Sequence, residues 1–256
     1  MAIAPAERWL RRYGPARDDA VQLLCLPHAG GSATFFRPMA LALAPALDVL
    51  GVQYPGRQDR RAEPAVDDLH TLADQVIEAL VNHPVRPLVV FGHSMGAVLG
   101  FELARRIEAA HPCALLGLIA SGRRSPTVHH DEDVHLRDDA GLLAEVRRLS
   151  GEELEVIADE DMLRVILPAL RADYRAVETY RLRPGDRLRA PVTVLTGDRD
   201  PKVTLPEARA WEQLTDGEFA LRVFSGGHFY LNRRQEAVSA AVAEIVAGFQ
   251  RRVAVG

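Results

Sequence analysis

Phe91-Gly92-His93-Ser94-Met95-Gly96 is the stretch on which the reading of this chain turns. The apolar run Pro87–Phe91 precedes it and a helical pattern, Gly96–Ala110, follows it. A serine between two glycines, at the junction of a strand and a helix, has the setting of a nucleophile elbow. The glycines let the chain turn sharply, and Ser94 is left at the tip with its hydroxyl exposed. The helix N-terminus behind it favours negative charge that develops there. Gly-x-Ser-x-Gly alone is a weak signal. Its place between strand and helix favours the reactive reading over a plain turn serine.

Working outward, five further runs read as buried strands: Val21–Leu26, Asp48–Gln53, Leu115–Ala120, Val192–Thr196 and Ala220–Phe224. With Pro87–Phe91 they make six. Val, Leu and Ile dominate them with little alternation, as a parallel sheet covered on both faces requires. Helical patterns separate them at 36–47, 69–81, 96–110 and 236–253. Alternation of this kind predicts an α/β fold, a mostly parallel sheet with helices on both faces. One gap breaks the rhythm. About 70 residues separate Ser121 from Val192, far more than a crossover needs. Helical patterns at Ala140–Leu149 and Asp161–Tyr180 lie within it, and Pro168 predicts a kink or break in the second. The expectation is a core of residues 1–122 and 186–256 with a helical lid inserted at 123–185. A plain structural embellishment is the alternative. Ser121–Pro126 and Pro184-Gly185 are the expected hinges.

A serine nucleophile needs a base, and the base needs an orienting acid; in this arrangement they follow in the order Ser, Asp, His. Val192–Thr196 leads into Gly197-Asp198-Arg199-Asp200, and Ala220–Phe224 into Ser225-Gly226-Gly227-His228. Both lie just past the carboxyl end of a strand, where open α/β sheets bind ligands. His228 is therefore the candidate base. Asp198 and Asp200 both remain candidates for the acid, since Asp also shapes turns. After the first strand of the chain, Val21–Leu26, Pro27-His28-Ala29-Gly30-Gly31 brings small residues to the same edge. Such a loop supplies one oxyanion amide and the residue after the nucleophile the other, here Ala29 and Met95. A phosphate-binding loop is rejected because the Gly-Lys-Ser/Thr ending is missing.

Composition narrows the classes. The 256 residues carry 31 basic and 35 acidic side chains, a net charge of -4, which argues against a general nucleic-acid binder. Two cysteines, Cys25 and Cys113, exclude a disulfide scaffold; their apolar neighbours mark them as inert core thiols in a reducing, cytoplasmic setting. No signal peptide and no membrane-spanning run is legible. His129-His130-Asp131-Glu132-Asp133-Val134-His135 could bind metal on composition, but without rigid ligand spacing it reads as a solvated polar loop. Lys202 is the only lysine, and the preference for arginine reads as genomic bias.

At these motifs the chain resembles the type II, or external, thioesterases of polyketide and nonribosomal peptide synthesis. The resembling strings are Leu26-Pro27-His28-Ala29-Gly30-Gly31, Tyr54-Pro55-Gly56-Arg57, Phe91 to Ala97, Ser121-Gly122-Arg123-Arg124, Asp173 to Tyr180, and Gly226-Gly227-His228-Phe229. The resemblance implies an α/β-hydrolase with a helical lid. It implies a triad of Ser94, Asp200 and His228, because the family's acid is the second Asp of the Gly-x-x-Asp turn. It further implies hydrolysis of acyl groups from the phosphopantetheine arm of carrier proteins, received in trans, without metal or organic cofactor, nucleic acid or membrane. A carboxylesterase or an acyltransferase of the same fold acting on free small molecules is the alternative, and a non-enzymatic carrier-binding module a more distant one. Charge adds one expectation. Residues 129–161 hold 12 acidic residues and three arginines, a net -9, leaving +5 elsewhere. An acidic carrier is therefore expected to meet arginines near the hinges: Arg123, Arg124, Arg183, Arg187 and Arg189.

Overall fold

The computed structural model describes residues 8–81, 86–111, 114–150 and 160–253. Cys113 lies outside them. Seven strands are formed: β1 (Leu10–Arg12), β2 (Val21–Leu26), β3 (Leu47–Val52), β4 (Leu88–His93), β5 (Leu115–Ser121), β6 (Val192–Gly197) and β7 (Phe219–Phe224). They hydrogen-bond in the order β1-β3-β2-β4-β5-β6-β7. All pairs are parallel except β1 with β3. The six expected strands are present within one or two residues. The short β1 has no apolar run to announce it. It is held by its ladder to β3 and by Arg12, whose guanidinium donates to the buried Asp48 at 2.6 and 2.7 Å.

The longer helices are α1 (Arg37–Leu43), α2 (Leu69–Val81), α3 (Met95–Ala110), α4 (Asp139–Ser150) and α5 (Glu160–Thr179). The short α6 (Leu205–Arg209) and α7 (Tyr230–Arg233) and the closing α8 (Gln235–Val253) complete the set. The expected 36–47 helix stops at Leu43, because Pro45 disfavours helical geometry at Ala44, and Leu47 already begins β3. Alternate strand residues feed two cores, as a period of two dictates. Leu24, Leu26 and Val90 pack with Leu72 and Val76 of α2 and Val98 and Phe101 of α3. Leu23, Cys25 and Val89 pack against Met39 of α1 and Val242 and Phe249 of α8. Strand β7, at the edge, has no fully buried residue, unlike the continuous burial of β2 to β6.

Between β5 and β6 the chain builds a small core of its own from Val134, Leu142, Leu167, Leu170 and Tyr174. Helix α5 runs on across Pro168, so the break expected there is not seen. Its C-terminal half is not peripheral: Ala176 and Val177 belong to the main core.

Candidate active site

Ser94 follows β4 directly and caps α3 with φ 56° and ψ -117°, a conformation that L-residues avoid. The flanking glycines are obligatory for contact reasons. A Cβ on Gly92 would lie 1.9 Å from the Gly96 carbonyl oxygen, and one on Gly96 would lie 2.1 Å from that of Leu26. The Ser94 amide donates to the Ser121 carbonyl at 2.8 Å, which ties the elbow to the end of β5.

His228 and Ser94, 134 residues apart, meet here: His228 Nε2 lies 3.0 Å from Ser94 Oγ. Its other nitrogen, Nδ1, lies 3.0 and 2.9 Å from the two carboxylate oxygens of Asp200. Asp200 also accepts the Lys202 amide at 2.9 Å. Asp198, the other candidate acid, points elsewhere and accepts the Gly226 amide at 2.9 Å, closing the turn before His228. Ala29 stands after β2, and Met95 opens α3, where first-turn amides have no acceptor within the helix.

Around the serine lies a cavity of about 110 Å³, lined on one side by Ala29, Ser94, His228 and Phe229. Leu149 of α4 and Leu170 and Tyr174 of α5 line the other side. Two more imidazoles, given no role on sequence grounds, stand here: His28 in the cavity lining and His93 beside His228. Burial, with the nearby His228 and Arg57, pushes His28 down to about 3; burial, with His228 and His28, holds His93 well below the usual histidine range. Both are therefore neutral near pH 7. His93 Nδ1 and the Tyr230 hydroxyl meet at Ser121 Oγ, 2.9 and 2.7 Å away.

Two of the strings singled out by resemblance meet at the loop that carries Ala29. The Arg57 guanidinium donates to both oxygens of Asp173 at 2.6 and 2.9 Å, and to the Gly31 carbonyl at 3.2 Å. Asp173 also accepts the Gly30 amide at 2.7 Å. The pair is buried, with side chains 6% and 1% exposed. An α5 carboxylate thus fixes the loop beside the serine. Asp173→Ala should lower stability by about 3–5 kcal/mol, since it leaves a buried guanidinium without its counter-charge. Denaturant unfolding reads this directly, and a loss under about 1 kcal/mol would show the pair to be dispensable.

None of the five arginines expected to meet a carrier lines the cavity at Ser94. Arg123 and Arg124 are buried; Glu132 pairs with Arg124 and lies 3.6 Å from Arg123. Burial would raise Glu132, but Arg123, Arg124 and Lys202 outweigh it and hold the carboxyl at about 2. Arg183, Arg187 and Arg189 are exposed but remote. Asp186 in that connection pairs with Arg105, and Glu108 accepts the Arg189 amide. Glu108 is 14 residues along α3 from Ser94, about 21 Å at the helical rise. These three lie in the connection that enters β6, at the amino ends of the strands, whereas the serine stands at the carboxyl ends.

Lys202 also proves to have a place. Its ammonium lies 2.5 Å from Glu132 and 2.8 Å from Glu145, joining the inserted region to the loop that carries Asp200. The 129–135 stretch is correspondingly not a simple solvated loop: Glu132 is enclosed and His135 pairs with Glu178 at 2.5 Å. Among the described residues no group of three or more His, Cys, Asp or Glu side chains is placed to hold a metal ion. No described helix is long and apolar enough to cross a membrane.

Sheet order, elbow and the cavity at the carboxyl ends of the strands define an α/β-hydrolase. Residues 21–247 match the thioesterase domain family, and the chain belongs to it. A probable cadicidin biosynthesis thioesterase of Streptomyces griseus is 54% identical over 93% of this chain and 66% of its own length. The chain thus spans slightly under two thirds of that relative. Thioesterase PikA5 of Streptomyces venezuelae is 50% identical over 88% of this chain and 80% of its own. Among solved structures, the type II thioesterase BorB from the borrelidin biosynthetic cluster superposes with a TM-score of 0.88. It is 53% identical, over 93% of this chain and 97% of that one.

Proposed function

We propose that this chain is a serine thioesterase that removes acyl groups from the phosphopantetheine arm of carrier proteins, acting in trans on a polyketide or nonribosomal peptide synthase. The observation that carries the reading is the continuous contact from Ser94 through His228 to Asp200, opening into a cavity that the inserted helices help to line. Relatives at 50–54% identity bear thioesterase names, two of them tied to named biosynthetic products.

Ser94 Oγ attacks the thioester carbonyl as its proton passes to His228 Nε2. Asp200 accepts the Nδ1 proton's hydrogen bond and stabilises the imidazolium. The Ala29 and Met95 amides receive the oxyanion, a donor pair of which each member is worth about 2.7–4 kcal/mol in the transition state. A thiol with a pKa near 8.5 leaves readily, taking its proton from His228. Water then attacks the acyl-serine with His228 again as base, releasing the acid and restoring Ser94. Residues 123–185 act as the lid, with α4 and the middle of α5, from Ile166 to Tyr174, walling the acyl group.

The test is a comparison of acyl-loaded carrier proteins with oxygen esters of the same acyl groups, with products identified by mass. Free acid and unloaded phosphopantetheinyl carrier, formed at least about a hundredfold more efficiently than from the esters, is the expected result. Faster ester cleavage would favour a carboxylesterase, and acyl transfer to an added alcohol or amine would favour an acyltransferase.

A further inference from the structure

A second, larger concavity adjoins the active-site cavity and has a different character. It is a groove of about 780 Å³, and Leu149, Ser150, His228 and Phe229 line both spaces. Four arginines face it: Arg148 at the end of α4, Arg199 between Asp198 and Asp200, and Arg233 and Arg234 just after the histidine turn. Among the described residues that line it there is no Asp or Glu. The neighbouring concavity beyond Lys202 differs. Arg124, Glu132, Glu145 and Lys202 line that one and neutralise each other.

The arginines of the groove keep contact with water. Arg199 is 75% exposed, and its nearest carboxylate oxygen, on Asp198, is 3.6 Å away. Arg148 is held by Glu145 at 2.8 Å yet remains 46% exposed. Arg234 donates to the Ser225 carbonyl at 3.3 Å, and Arg233 and Arg234 are both exposed. The chain as a whole is acidic, with a net charge of -4, so a basic groove meeting the catalytic histidine is a local departure.

We propose that this groove holds the phosphodiester of a carrier-borne pantetheine arm, with Arg199 and Arg234 as the principal contacts. The inference rests on the carrier-directed reading given above. An arm that presents its thioester to Ser94 runs out of the 110 Å³ cavity past His228 and Phe229, and the groove begins there. The arm's mid-section is uncharged, but the far end is a phosphodiester bearing one negative charge. Guanidinium groups suit such an oxyanion, since their planar N–H donors match two oxygens at once. Coenzyme A thioesters carry related chemistry, but the occupant assigned to this groove is the arm of a carrier protein. The groove replaces the hinge arginines, which are buried or at the amino ends of the strands.

The experiment compares wild type with a double variant, R199Q/R234Q, on three thioesters of one acyl group: carrier-bound, coenzyme A-bound and N-acetylcysteamine-bound. The last has no phosphate. Carrier-bound hydrolysis should fall about tenfold through KM, with kcat held, because two charge-assisted contacts are lost. N-acetylcysteamine hydrolysis should stay within about twofold, which also shows the variant to be folded. Added salt should erode the wild-type advantage on carrier, since attraction of exposed charges is screened over about 8 Å. R187Q/R189Q, at the amino ends of the strands, should leave both rates unchanged. Equal losses on carrier and N-acetylcysteamine substrates, or no loss on either, would overturn the groove while leaving the carrier-directed function standing. A loss confined to the coenzyme A thioester would overturn the carrier as its occupant. Failure of wild type to hydrolyse any acyl-carrier would overturn both.

Discussion

Ser94→Ala should leave the fold intact and reduce thioester hydrolysis by about 10⁴- to 10⁶-fold, the scale on which hydrolases collapse when the nucleophile is removed. The physical case for an intact fold is local. The strained backbone at φ 56° is imposed by the Gly92 and Gly96 contacts and by the Ser94 amide bond to Ser121, none of which involves the hydroxyl. The side-chain hydrogen bond that is lost is the one to His228, whose other nitrogen stays anchored to Asp200. Thermal unfolding should therefore shift by no more than a few degrees. Acyl-carrier binding should survive, because the cavity walls and the arginine groove are unchanged. A serine-directed phosphonate should label wild type and not the variant. Turnover above about a tenth of wild type would mean that another group attacks the thioester.

The parts legible in the sequence were those set by local pattern. Continuous apolar runs of Val, Leu and Ile marked the six strands, and the glycines around Ser94 marked the one turn tight enough to need them. His228 was legible because a histidine just beyond the last strand can reach only the carboxyl edge. Contacts between distant charges were not legible. Nothing local distinguishes Arg123 and Arg124, enclosed with Glu132, from arginines in water. The same holds for Lys202, whose partners lie 57 and 70 residues away in sequence. Arg57 and Asp173 stood inside strings that the family resemblance singled out, yet their mutual contact across 116 residues needs the folded α5. Strand β1 escaped for another reason. Three residues, two of them arginine, carry no periodic signal, and their order comes from the edge of β3.

The two aspartates of the Gly197–Asp200 turn should separate cleanly. Asp200→Asn should lower kcat/KM by about 10⁴-fold, the cost of the same neutralisation in a well-studied serine protease triad. The Asp200 side chain is fully enclosed, with both oxygens within hydrogen-bond distance of His228 Nδ1 and one also bound to the Lys202 amide. That acceptor-only group fixes the proton on Nδ1 and leaves Nε2 bare towards Ser94. An asparagine amide presented to Nδ1 would donate instead, moving the ring proton to Nε2. The base would then meet the serine hydroxyl as a donor and could not take its proton. The buried imidazolium of the transition state would also lose its counter-charge. Asp198 is different on every count: its side chain is 48% exposed, and its described contacts are the Gly226 amide and a loose approach to Arg199. Asparagine keeps a carbonyl that can accept the Gly226 amide, so Asp198→Asn should change kcat/KM by no more than about threefold. Steady-state kinetics of the two variants on one acyl-carrier substrate decides the matter. A larger loss at Asp198 than at Asp200 would show that the histidine is oriented by a carboxylate other than the one it contacts here.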